Sequence, residues 1–170
     1  TQEAGRHGAR RGRGLGMRDH VTGVLRWGDF VAATLRTPLD GAAMRDAASR
    51  LLGEHDFSSF RAAQCQALSP VKQMQQIAIA RHGDYWRFEF QANAFLHHMI
   101  RNIMGCLVQV GQGLRPAQWM DDVLAAKSRD AAAPTFAADG LYFAGPVYAP
   151  HWGLPDRTVA FGFLPGSQGA

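Results

Sequence analysis

The stretch Asn93–Gly111, which reads NAFLHHMIRNIMGCLVQVG, restricts the fold more than any other part of the chain. Stepped at about 100° per residue, Phe95, Met99, Ile103, Cys106, Leu107 and Val110 fall on one broad apolar face. His98, Arg101 and Gly105 line a narrow strip on the other side, with His97 at its edge. The pattern predicts a helix with Asn93 as N-cap and Gly111 as its stop, backed by Gly113 and Pro116. So apolar a helix needs a sheet or other helices against it. An arginine and two histidines inside it cost desolvation energy unless something pairs with them. The plain reading is that Arg101 snorkels to solvent and the histidines are satisfied boundary residues. The other is that they form a site whose partner has to be found.

The flanking segments supply the cover. Asp40 is placed to cap a helix from Gly41 to Leu52, with Met44, Ala47, Ala48, Leu51 and Leu52 turned inward and Gly53 after its end. Asp56–Phe60 reads as a short helical turn whose two phenylalanines are core. Val71–Ala80 and Tyr85–Ala92 alternate as strands across a His82-Gly83-Asp84 turn and predict a hairpin, with Trp86, Phe88 and Phe90 on one face and Tyr85, Arg87 and Glu89 on the other. Pro116 opens a helix to about Lys127 with Trp119, Val123 and Leu124 inward. Ser128–Asp139 reads as a surface loop, and Leu141–Tyr148 as a last strand. Thr1 to about Met17, rich in Gly and Arg, reads as disordered, and Val21–Leu35 shows no clean period. There is no internal repeat.

With 46% hydrophobic residues the chain fits a globular domain, and no apolar run approaches bilayer length. A cytoplasmic location is the expectation. Cys65 and Cys106 form neither a disulfide framework nor a Cys-x-x-Cys pair. Adjacent histidines on a helix diverge by about 100°, so no metal site is expected from His97 and His98. Of the net charge of +4, most comes from Arg6, Arg10, Arg11, Arg13 and Arg18 against Glu3 and Asp19. A basic surface for RNA would therefore have to be local, such as Arg61 with Lys72, or Arg101 with the histidines.

Asn93-Ala-Phe-Leu-His-His-Met-Ile-Arg-Asn-Ile-Met-Gly105 resembles the helix signature of the bacterial tRNA pseudouridine synthase A family. Leu51–Arg61, Cys65-Gln66, Ser69-Pro70, Ala133-Pro134 and Gly140-Leu141-Tyr142 agree with that family in the same order, over about Pro38 to Leu164. The resemblance implies an α/β (α+β) fold, an antiparallel sheet with helices packed on one face, forming the C-terminal half of the family's catalytic domain. The expected division is 1–36 as an atypical, largely disordered segment, 37–165 as that domain and 166–170 as a tail.

The resemblance also implies an activity. Family members detach uracil from its ribose in the tRNA anticodon arm, rotate the base and rejoin it through carbon. They need no cofactor or metal, and they grip tRNA as homodimers. The essential aspartate stands in a Gly-Arg-Thr-Asp-Ala-Gly motif that these 170 residues do not contain. Arg129-Asp130-Ala131 only imitates it, in the wrong place, and the family's stacking tyrosine is missing too. What matches is Arg101, which in the family holds the aspartate ionised, a role suited to a rigid bidentate donor. Arg61, Lys72, His97 and His98 are the expected RNA-binding residues. The chain is thus expected to be truncated and inactive alone, its Gly/Arg-rich opening fitting a coding region read out of frame. A non-catalytic RNA-binding module and an unstable fragment are the rival readings.

Overall fold

The computed structural model describes residues 18–26, 38–82, 85–147, 151 and 153. Among the described residues five strands and three α-helices follow in the order β1 (Arg18–Arg26), α1 (Gly41–Ser49), β2 (Gly53–Asp56), β3 (Val71–His82), β4 (Tyr85–Ala92), α2 (Met99–Gly111), α3 (Trp119–Ala126) and β5 (Leu141–Val147). Short 3-10 turns cover Ser58–Phe60 and Arg129–Ala131. The strands form one antiparallel sheet in the order β2-β3-β4-β1-β5.

The β3–β4 hairpin is where the alternation places it, with Ile79 opposite Phe88 and Ala80 opposite Arg87. Along β4, Trp86, Phe88, Phe90 and Ala92 are buried while Tyr85, Arg87, Glu89 and Gln91 are half-buried on the other face. Phe88 and Phe90 are each 0% exposed, and burying such a side chain contributes about 1.5–3 kcal/mol. This face carries the core shared with the helices.

Asp40 caps α1 as expected, its Oδ1 accepting from the amides of Ala42 (2.8 Å) and Ala43 (3.1 Å). Met44, Ala47, Ala48 and Leu51 are buried, but Leu52 is not: the helix has ended by Ser49, and Gly53, at φ +98°, turns the chain into β2. The Asp40 amide donates to the Gly111 carbonyl (2.7 Å), which ties the start of α1 to the end of α2. A Cβ at Gly111 would come within 2.8 Å of the Met44 sulfur, so glycine is what lets the two helices close up there. Phe57 and Phe60 are both fully buried around the first 3-10 turn, as the sequence indicates.

Four expectations need correction. Asn93 does not cap α2: its Oδ1 accepts the Gln73 amide (3.0 Å) at the sheet, and the helix begins six residues later at Met99. The residue at its N-cap is His98, in left-handed conformation at φ 61°, so the two histidines precede the helix. In α3, Val123 is buried and Trp119 and Leu124 pack half-buried against the core as expected, but the helix starts at Trp119, three residues after Pro116, behind a turn in which the Trp119 amide donates to the Pro116 carbonyl (3.1 Å), and Met120 is buried as well. Arg18–Arg26, inside the segment assigned no element, is a strand lying between β4 and β5. Strand pairing, which periodicity does not report, decides it. The expected disordered tail 1–17 and the segment 27–37 lie outside the described residues. Among the described residues no helix is long and apolar enough to cross a membrane.

Candidate functional site

The strip of α2 on which a partner was expected is largely covered by another segment of the chain. Met99, Ile100 and every residue from Asn102 to Val108 are buried, as are Val110 and Gly111; Arg101 is half-buried. The cover is the segment between α3 and β5, expected to be a surface loop. It runs antiparallel along α2 and touches it residue by residue. The Ala133 amide donates to the Cys106 sulfur (3.3 Å). The Pro134 carbonyl oxygen sits where a Cβ on Gly105 would be, 2.3 Å from that ideal position. Thr135 Oγ1 donates to Asn102 Oδ1 (2.7 Å), and the Phe136 amide donates to the Arg101 carbonyl (3.1 Å). Residues 133–136 thus form a strap across the helix.

Arg101 stands at the end of this strap. Its Nε donates to the Phe136 carbonyl (2.7 Å), and its Nη1 lies 3.3 Å from His98 Nε2. No carboxylate pairs with the guanidinium among the described residues. Two concavities share Ile100, Arg101 and Leu141 as their common wall. The larger is an open groove of about 330 Å³ lined also by Phe95, Leu96, His98, Met99 and Phe143. The narrower one is lined by Phe88, Phe90 and Met104 from the core and by Phe136 and Asp139 from the loop. Asp139 is exposed and makes no hydrogen bond or ion pair to Arg101 among the described residues. An apolar groove with one fixed cation on its wall suits a flat, partly apolar ring beside an anionic group.

His97 and His98 have ring centroids 4.0 Å apart at 34°, stacked because both precede the helix and do not diverge along it. Burial, then the positive charges of His97 and Arg101, hold His98 below the usual histidine pKa. The shift favours the neutral imidazole, in which Nε2 can accept from Arg101. The loop after the first 3-10 turn abuts this pair. The His97 amide donates to the Cys65 sulfur (3.4 Å), and the His97 carbonyl accepts from the Ala62 amide (3.1 Å). Amide donors from Ala67 and His97, with Arg61 nearby, lower the Cys65 thiol pKa; burial raises that of Cys106.

The structure therefore joins four of the five residues singled out from the sequence, Arg61, His97, His98 and Arg101, into one continuous run. Within it Arg61 is engaged: its Nη2 donates to the carbonyls of Cys65 (2.7 Å) and Ala67 (2.9 Å). Lys72 lies elsewhere, at the β2–β3 edge opposite His55, with Nζ donating to the Ser69 carbonyl (2.7 Å). Among the described residues no three His, Cys, Asp or Glu side chains cluster to hold a metal ion. The sequence reading missed Asn102, Thr135 and Phe136. Asn102 was legible in principle, as an amide at a position that an apolar helix would fill with carbon. It is 1% exposed, with Nδ2 donating to the Phe60 carbonyl (2.8 Å). The Phe136 backbone carbonyl leaves no trace in side-chain chemistry.

The family model described as tRNA pseudouridine synthase matches residues 47–149. The chain is 70% identical over 128 residues to a protein named tRNA pseudouridine synthase A from Albidiferax ferrireducens, covering 75% of this chain and 49% of that one. It is 66% identical over 132 residues to one of the same name from a Polaromonas species, covering 75% and 50%. With the protein of that name from Paracidovorax citrulli it shares 61% over 145 residues, covering 75% and 52%. The chain spans about half the length of the curated relatives it matches.

Proposed function

The chain belongs to the tRNA pseudouridine synthase family, and from that premise we propose that it supplies the arginine half of a site that isomerises uridine to pseudouridine in the anticodon arm of tRNA. The observation that carries the reading is Arg101. Its guanidinium is anchored at Nε and Nη1, faces the groove of about 330 Å³ and pairs with no carboxylate among the described residues. A fixed cation beside an apolar groove holds an incoming aspartate ionised, because an opposite charge within about 4–6 Å favours the charged form. The ionised carboxylate then acts at the sugar or base of a flipped-out uridine. The bond from ribose to uracil nitrogen breaks and a bond from the same ribose carbon to a ring carbon forms; that ring carbon loses a proton and the freed nitrogen takes one up, so the change is an isomerisation needing no oxidant or cofactor.

The aspartate of this proposal comes from residues outside these 170, which hold no Gly-Arg-Thr-Asp sequence. That same absence favours a second reading, a module that binds RNA without catalysis. Arg61, Lys72, His97 and His98 remain the candidates for backbone contacts, with His98 lining the groove, the exposed His97 next to it and the engaged Arg61 shaping the loop. A homodimer gripping tRNA and a cytoplasmic location are carried by the family premise alone.

The test is to incubate the chain with unmodified tRNA, alone and with the part of the Albidiferax ferrireducens relative that it does not cover. Pseudouridine is read by chemical labelling and binding is measured at two salt concentrations. Product only in the complemented reaction is the expected result, and product from the chain alone would overturn the assignment of an external aspartate. Salt-sensitive binding without product in either reaction would favour the second reading.

A further inference from the structure

We propose that Thr135 is a positioning residue for this reaction: by latching the strap to the buried Asn102, it sets where the Phe136 carbonyl stands and so where the Arg101 guanidinium points. The inference rests on the reading that Arg101 faces the reacting nucleotide.

Arg101 and Asn102 are adjacent on α2 and leave the helix in different directions, one to the groove and one inward. The strap bonds to both. Thr135 Oγ1 donates to Asn102 Oδ1 (2.7 Å) and accepts from Arg129 Nη2 (3.0 Å), so its hydroxyl is used in both senses. Asn102 is itself fixed, with Nδ2 on the Phe60 carbonyl (2.8 Å). One residue further along, the Phe136 amide and carbonyl close a two-point contact with the Arg101 carbonyl and Nε. A single peptide separates the latch from the acceptor that aims the guanidinium. His98 at the start of the helix reaches only Nη1, and the acceptor at Nε comes from the strap; an arginine side chain has several rotatable bonds and a planar head that needs an in-plane acceptor to fix it. Thr135 is an exposed residue, so its substitution removes no core side chain, and what is lost is the bond to the Asn102 carbonyl.

Three substitutions of Thr135 test the latch. Thr135→Ser keeps donor and acceptor, whereas Thr135→Val keeps the shape and loses both; Thr135→Ala is a smaller second variant should valine perturb the strap by its bulk. In the 15N-labelled chain the proton on Arg101 Nε should exchange with water about tenfold faster or more in the valine and alanine variants and near the parent rate in the serine variant. Amide protection in β3 and β4 should stay unchanged as evidence of an intact fold. In the complemented turnover assay the valine and alanine variants should lose on the order of tenfold or more in kcat with KM for tRNA unchanged, and serine should restore it. An Arg101 Nε proton that exchanges at the parent rate in both variants would overturn the latch. Accelerated exchange with unaltered kcat, under conditions where Arg101→Ala abolishes product, would overturn the positioning role. Accelerated exchange with no product from the parent either would instead locate the failure in the proposed activity.

Discussion

Gly105→Ala is the substitution that most directly probes the contact between helix and strap. An ideal Cβ there lies 2.3 Å from the Pro134 carbonyl oxygen and 3.4 Å from the Ala133 methyl, and real Cβ atoms do not approach closer than 3.0 Å, so the strap has to retreat by about 0.7 Å or more. The opposing atom is backbone, not the end of a flexible side chain, and the hydrogen bonds of residues 133, 135 and 136 to α2 lie on either side of it. Alanine is the better helix former by roughly 0.5–1 kcal/mol in a helix interior. Against this stand an overpacking cost of about 1–3 kcal/mol and, if the strap lifts, about 1–3 kcal/mol for an unsatisfied Asn102 carbonyl. The costs outweigh the gain, and the expected net is a loss of about 1–3 kcal/mol, equivalent to roughly 3–10 °C in Tm for a domain of this size. Urea unfolding followed by tryptophan fluorescence reads it as a lower midpoint at constant slope. A variant as stable as the parent, or more stable, would show that helix propensity governs the site and that the strap is not clamped there.

Three further outcomes are expected. Arg101→Ala should abolish product in the complemented turnover assay, and Asp139→Asn should leave it within about twofold; an inactive Asp139→Asn protein would make that residue the missing carboxylate and refute an external one. Cys65, its thiolate favoured by amide donors from Ala67 and His97, should react with iodoacetamide at a lower pH than an ordinary thiol, while Cys106 stays inert until unfolding; mass spectrometry of the alkylated chain gives the order, and equal rates would contradict the geometry. Asp56, its pKa lowered first by the Ser58 hydroxyl (2.6 Å), should contribute stability above the ordinary aspartate pKa and lose it as pH falls through the depressed value. Asp56→Ala should therefore cost about 0.5–2 kcal/mol at neutral pH, the range for loss of a side-chain cap, and progressively less as pH falls below the ordinary aspartate range; a pH-independent cost would show that the ionised carboxylate is not what stabilises the turn.

Elements whose side chains alternate or repeat against one partner were readable from the sequence. The β3–β4 hairpin, the Asp40 cap, the buried Phe57 and Phe60 and the inner stripe of α1 all follow from local pattern meeting one core face. Arg101 was legible too, because a cation inside an apolar stretch demands a reason. What was not legible came from contacts distant in sequence. β1 has no period of its own and is defined by its two neighbours. The Asn93 side chain reads as a helix cap by type, but the Gln73 amide on β3 takes it. The histidines read as helical, yet a left-handed His98 stops the helix short of them and stacks their rings.

The burial of α2 on nearly every side changes what its apolar pattern means. A face count on an isolated helix divides it into a core side and a site side, and Gly105 falls on the site side with Arg101. In the fold, Gly105 is where the strap's backbone passes closest, so the residue that looks like a gap in the hydrophobic pattern is the point at which another segment enters. The consequence reaches the chemistry. Arg101 is half-buried without a counter-charge among the described residues, and an unpaired cation in that setting is tolerable only if neutral acceptors satisfy its donors. The Phe136 carbonyl and His98 Nε2 do so. Both are neutral acceptors, so they fix the guanidinium without cancelling its charge, which stays available to an anion brought to the groove. A carboxylate in place of either would have stabilised the arginine better and left it with less to offer a second carboxylate.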